Sequence, residues 1–287
     1  MAKRSVAAGT QAGAVRVAVR TIGVADLKDA LAKGIEDFKA MPSHAVFLGV
    51  IYPVIGVVLL RAALGLDLWP LLFPLAAGLG LVGPFFAIGL YELSRRREQG
   101  LDAAPWHAFR ALRMCGANCL ALGAMLAVVF LAWLATAQGI TVLVFGDAAP
   151  ASLGAFLREV FTTQAGWTLL AVGTGVGVLF AAAIFSISVV SFPLLLDRKV
   201  SAVEAVAISI RAVRASPVTM AVWGAANTAA LVIGSLPVFI GLVVVMPVLG
   251  HASWHLYRKV IPPLEGESAP GRRSRPSNKR ALRTRAA

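Results

Sequence analysis

Six apolar stretches, each close to twenty residues or longer, constrain this chain more than any other feature. They run over residues 44–64, 68–93, 114–138, 166–196, 218–235 and 236–257. A helix rises about 1.5 Å per residue, so ~20 apolar residues cross the ~30 Å hydrocarbon core of a bilayer. In that solvent every backbone N–H and C=O must find a partner within the protein, which selects helices for such segments. The sequence therefore predicts an all-α membrane protein with six transmembrane helices. Only 14% of the residues are charged, against ~25% in soluble domains. No Lys, Arg, Asp or Glu falls in the middle of a span. Arg61 and Glu92 lie near span ends, where long side chains reach the interface.

Orientation follows from the basic residues. The segments on one side of the six spans hold 25 of the 27 Lys and Arg residues, and the other side holds only Arg61 and Arg158. The basic-rich side is expected to be cytosolic. Both termini then lie in the cytosol, and the chain is placed in a bacterial inner membrane. Residues 1–21 lack an apolar core segment, so no cleavable signal peptide is expected. The chain divides into a flexible N-terminal segment (1–23), a membrane domain (24–262) and a basic tail (263–287) whose Arg, Pro, Ser and Gly content predicts disorder.

The second and sixth spans repeat one pattern. Pro74, Gly78, Pro84, Tyr91, Glu92, Leu93 and Arg95 correspond to Pro237, Gly241, Pro247, Trp254, His255, Leu256 and Arg258 at a constant offset of 163 residues. Each hairpin also follows an amphipathic stretch. In residues 24–41 the apolar positions are Val24, Leu27, Leu31, Ile35, Phe38 and Met41, with Lys28, Asp29, Lys33, Glu36, Asp37 and Lys39 between them. Asp26 is placed to cap this helix and Pro42 to end it. Residues 201–215 form a second copy, with Ser201 and Glu204 in capping-box spacing and Pro217 as its terminator. A weaker third copy has Asp102 as cap, Trp106, Phe109 and Leu112 on one face, and Arg110 and Arg113 on the other. The expected architecture is three parallel hairpins, each introduced by a cytosolic amphipathic helix.

Four motifs resemble a bacterial family of integral membrane proteins catalogued as domain of unknown function family 2189. They are Gly34-x-Glu36-Asp37-Phe38; Gly83-Pro84-Phe85-Phe86 running through Tyr91-Glu92-Leu93-Ser94-Arg95-Arg96; Phe192-Pro193-Leu194-Leu195-Leu196-Asp197-Arg198; and Pro247 through Arg258. The resemblance covers about residues 15–260. It implies a multi-pass membrane architecture and brings no known functional residues. The label of respiratory oxidase subunit attached to some relatives fits poorly, because four histidines are too few for haem and copper ligation.

Candidate sites lie at the cytosolic exits of spans two, four and six. His251 and His255 are four apart on one helix face and could ligate a metal, or could simply hydrogen-bond to neighbours. Cys115 and Cys119, with His107 nearby, could hold a soft metal, but small buried thiols more often pack. The glycines of the fourth span, Gly166, Gly173, Gly175 and Gly177, are expected to pack against other helices. Asn118 and Asn227 are each expected to bond across helices. Pro193, Asp197 and Arg198 complete the structural motif formed with Pro74, Pro84, Tyr91, Glu92, Arg95, Pro237, Pro247, Trp254, His255 and Arg258.

No nucleophile–base pair, carboxylate pair or complete metal site can be assembled from these spacings. The expectation is a non-enzymatic scaffold, assembly or envelope-organising factor without a cofactor. The alternative is a transporter or channel for a small neutral or lipid-like molecule, since ionisable groups of a proton route are missing mid-span. The implied partners are the bilayer, anionic headgroups on the basic face, and another membrane protein, rather than a specific nucleic acid.

Overall fold

The computed structural model describes residues 17–41, 50–65, 71–146, 152–237 and 239–263. Among the described residues the chain is all α, with ten helices and no strand: α1 (Val24–Ala40), α2 (Ile51–Gly65), α3 (Leu72–Glu98), α4 (Trp106–Phe145), α5 (Leu153–Thr162), α6 (Gln164–Ser188), α7 (Ser191–Asp197), α8 (Ala202–Ala215), α9 (Pro217–Ser235) and α10 (Leu242–Val260). Three stretches are long and apolar enough to cross a membrane: Cys115–Phe145, Gln164–Asp197 and Pro217–Ser235, with mean hydropathies of 2.3, 2.4 and 1.4. Their outer faces carry exposed Leu131, Val178, Leu179, Val232 and Ile233, as lipid-facing surfaces do. Among the described residues the other three expected spans do not stand out in this way: the described part of α2 is 15 residues, the start of the second expected span lies outside the described residues, and α10 ends in the charged turn Arg258–Lys259.

The long helices are interrupted where their chemistry requires it. Within α4, Gly116 has φ 57° and ψ −148°, a conformation open to glycine and strained for other residues. It separates a short head, residues 106–115, from the membrane-crossing part. The expected fourth span breaks after Ser188. Pro193 has no N–H, and its ring excludes the carbonyl of Val189, four residues back. The freed backbone is satisfied locally, because Val190 N–H donates to Ser209 Oγ on α8 at 3.2 Å. A sixth helix spanning 236–257 is also shortened. Residues 236–237 and 239–241 are turn, with Phe239 at φ 65°, and α10 starts at Leu242.

The helix starts follow their capping chemistry with two changes. Ser201 and Glu204 form the full reciprocal box on α8. Asp26 caps α1 from inside its first turn, accepting Gly23 N–H at 3.0 Å, and Gly23 itself has no side chain to contribute. Asp102 does not cap α4. Pro105 occupies that position, and Asp102 instead lies 3.6 Å from His107. Pro217 opens α9 as its first residue and thereby ends α8. Pro42 and the tail beyond residue 263 lie outside the described residues.

Two elements were not foreseen. Residues 17–22, assigned to a flexible segment, form an extended strap. Arg20 N–H donates to Val260 O at 2.8 Å, Ile22 N–H to Ser216 Oγ at 2.9 Å, and Val17 and Ile22 are buried. The short helix α5 lies between the third and fourth spans, capped by Ser152. Small residues then permit close packing at chosen points. A Cβ on Gly177 would fall 2.4 Å from the Trp133 ring, whereas Gly173 and Gly175 face open space and do not pack as expected. Asn118 bonds across elements, to Val200 O and from Ala202 N–H. Asn227 does not; its amide donates to Trp223 O in its own helix.

Candidate functional site: a buried polar cluster at the helix ends

The polar groups converge where α1, α3, α7 and α10 meet. Helix α1 packs on α10 closely enough that a Cβ on Gly34 would sit 2.6 Å from Ala252 N, and α10 packs on α3 with Gly250 against Leu90. The buried face of α1 is Leu27, Ala30, Gly34 and Asp37, one line at helical spacing. This differs from the stripe expected from the sequence. Val24 and Leu31 are exposed, and Ile35 and Phe38 are only partly covered. Two small residues on one face bring α1 closer to α10 than large side chains would allow, and Asp37 is carried inward with them.

Asp37 is 5% exposed and is the hub of the cluster. One carboxylate oxygen, Oδ2, accepts from Ser94 Oγ of α3 and from His255 Nε2 of α10 at 2.8 Å. The other, Oδ1, accepts from Arg97. Burial pushes the Asp37 carboxyl up, but the hydrogen bonds from His255 and Ser94 outweigh it and hold the group below the ordinary carboxylate range. It is ionised at neutral pH.

That ionisation fixes the direction of the next bond. Ser94 has one proton and gives it to Asp37, so its oxygen must accept from His251 Nδ1, 2.8 Å away. His251 is fully buried and its Nε2 has no partner among the described residues. A charged ring would leave a buried N–H⁺ unpaired, so the ring is neutral with its proton on Nδ1. The order is His251 to Ser94 to Asp37. A nucleophilic triad needs the histidine between the serine and the acid; here the serine lies between them and is itself fully buried.

A second set of bonds continues around α10. Glu98 accepts from Trp254 Nε1 at 3.1 Å and from Arg258 Nε at 3.2 Å. The Arg258 guanidinium lies 5.7 Å from the centre of the Trp254 ring. Asp197 of α7 accepts from Tyr257 OH at 2.6 Å and lies 3.7 Å from Arg258. Arg198 donates to Pro262 O. Glu92, though repeat-equivalent to His255, binds Arg95 on its own helix at 2.8 Å instead of reaching α1. At the open edge, Lys259 bonds Asp29 at 2.8 Å and Lys33 bonds it at 2.9 Å. These two lysines, Lys259 first, lower Asp29 to about 2.

The motif residues Glu92, Arg95, Asp197, Arg198, Trp254, His255 and Arg258 thus gather at one end of the helices. Pro193 is buried at the α6–α7 break, Pro247 is buried within α10, Pro74 lies in the first turn of α3, Pro84 lies along α3, and Pro237 sits in the turn before α10. Tyr91 is buried. His251 and His255 are both turned toward Asp37, directly or through Ser94. No group of three His, Cys, Asp or Glu among the described residues could hold a metal. Cys115 and Cys119 are buried one helical turn apart, their Cα atoms 5.6 Å from each other, while His107 faces Asp102. Sequence reasoning missed Asp37, Ser94, Arg97 and Glu98 as site residues. The available signal was the Leu27–Ala30–Gly34–Asp37 line.

Comparison with curated proteins and with solved structures gave no match. A family model, Predicted integral membrane protein (DUF2189), matches residues 72–197, from the start of α3 to the end of α7. The match is shorter than the 15–260 expected from the motifs and leaves α1 and α10 outside it. Over that segment, 126 of the 287 residues, the chain is similar to a family of predicted integral membrane proteins of unknown function.

Proposed function

We propose that the chain is a non-enzymatic, multi-pass scaffold or envelope-organising protein of the bacterial inner membrane. In this reading it has six spans in three parallel hairpins, with both termini in the cytosol. The observation that carries it is the polar cluster that ties α1, α3, α7 and α10 together. Asp37, Glu98 and Asp197 are all engaged by donors from other helices. Acids engaged in this way, with the Asp37 and Asp197 side chains buried, fix helix positions and are committed to structural bonds. The charge asymmetry, 25 of 27 basic residues on the side of the cluster, supports a cytosolic location for it. Such a rigid basic platform suits a membrane-protein partner and anionic headgroups.

The test is affinity purification of the full chain from membranes in mild detergent. A reproducible membrane-protein partner is the expected result. Isolation of the chain alone as a monomer, without partner or lipid, would refute the proposal.

A further inference from the structure

The head of α4 carries a surface that the polar cluster does not use. Residues 106–115 form a short helix set off from the span by the Gly116 kink. Its inner face is Ala108, Ala111 and Cys115, all buried. Its outer face presents Trp106, Phe109, Arg110 and Arg113, which line a single groove of about 580 Å³. The spacing i, i+3, i+4, i+7 places all four on one side, so the arginines are not opposite the aromatics as the sequence pattern implied. Trp106 is 64% exposed and Phe109 49%. Arg110 and Arg113 are exposed and form no ion pair among the described residues. The nearest acid in the chain, Asp102, is turned to His107.

Position identifies the occupant. Arg113 lies two residues before Cys115, where the apolar stretch Cys115–Phe145 begins, and thus about 3 Å of helix rise from it. With that stretch in the bilayer, the groove falls at headgroup level. Two guanidiniums suit a phosphate, and two exposed rings suit the boundary between headgroups and acyl chains. A soluble anion would use the arginines and leave the rings in water, whereas an amphipathic lipid uses both.

We propose that Trp106, Phe109, Arg110 and Arg113 form a binding site for one anionic phospholipid of the surrounding leaflet. The assignment to the anionic cytosolic leaflet rests on the orientation proposed above. A reporter fused at Gly100 tests that orientation separately, so its failure is distinguishable from failure of the site.

The experiment is native mass spectrometry of the full chain in non-ionic detergent, titrated with phosphatidylglycerol or phosphatidylcholine. Wild type should retain phosphatidylglycerol in preference. The R110Q/R113Q variant should bind it roughly 25-fold more weakly, about 5-fold per arginine. W106A should weaken both lipids. The control variant K199Q/R214Q removes the same charge from other exposed positions and should bind like wild type. Equal losses in the control would overturn the site in favour of diffuse attraction. Unchanged binding by R110Q/R113Q would overturn it outright. Displacement of the lipid by inorganic phosphate at matched concentration would overturn the lipid assignment. All four side chains are exposed, so the variants should keep wild-type thermal unfolding; a variant that does not is replaced by the single changes R110Q and R113Q, each of which should bind phosphatidylglycerol about 5-fold more weakly, and unchanged binding by both would overturn the site.

Discussion

Replacing Asp37 with alanine should release α1 from the rest of the protein. The carboxylate is 5% exposed and takes hydrogen bonds from Ser94, His255 and Arg97. The Arg97 side chain is 41% exposed and can turn to water, so its share is discounted. Ser94 is fully buried and the His255 side chain 14% exposed, so both donors lose a charged acceptor that water cannot fully replace. Hydrogen bonds to charged groups contribute about 1.5–3 kcal/mol each, and partial relaxation brings the combined cost to roughly 3 kcal/mol. That corresponds to roughly 100-fold easier opening of α1. Hydrogen exchange of the α1 amides in detergent, read by mass spectrometry against the amides of α9, measures it directly. Glu36→Ala, at the exposed neighbouring position, is the control and should change nothing. The hub reasoning is refuted if α1 in Asp37→Ala exchanges at the wild-type rate. The pH response carries a definite sign. The folded-state pKa of Asp37 is lowered, so its contribution is fully present above the unfolded carboxylate value of about 3.9 and disappears as pH falls through the lower folded value. Protection of α1, corrected for intrinsic exchange, should hold from neutral pH to about 4 and decline below it.

Gly34→Ala should destabilise by about 1–3 kcal/mol, because the added Cβ would sit 2.6 Å from the Ala252 backbone nitrogen; an unchanged thermal midpoint in detergent would contradict the packing. Ser209→Ala removes the acceptor of Val190 N–H and should cost about 1–3 kcal/mol, seen as faster exchange at Val190 while the α9 amides stay protected. Gly116→Ala places a Cβ at φ 57° and should cost about 1–3 kcal/mol; wild-type stability would show that the kink is not conformationally demanding. The Lys259–Asp29–Lys33 edge is solvent-exposed, so Lys259→Gln should loosen α1 only slightly, and less at high salt.

How much of the site was legible depended on whether a residue's role was local. Ser201 with Glu204 is a local device, and spacing alone was enough to find it. The consequence of Pro193, a break four residues upstream, also follows from chain geometry, although the apolar run hid it. Gly116 could not be read so directly, because an isolated glycine in an apolar helix usually signals packing. The repeat at an offset of 163 was present in the sequence, yet equivalent residues act differently. Glu92 stays on its own helix, and His255 crosses to α1, which Gly34 brings close against α10.

The sequence by itself determined that the described chain is helical and that apolar stretches long enough for a bilayer dominate it, since apolar length and backbone satisfaction are properties of each segment alone. It also located the cluster at the basic ends of the helices, because charge is excluded from lipid wherever the fold places it. Tertiary structure decided which acid became the hub. Asp37 sat among Lys33, Glu36 and Lys39 as one more polar residue of a surface helix. It became buried because Ala30 and Gly34 admit α10 to within contact distance on the same face. Burial, and with it the value of each hydrogen bond, depends on which two surfaces meet, and one strand of sequence carries only half of each contact.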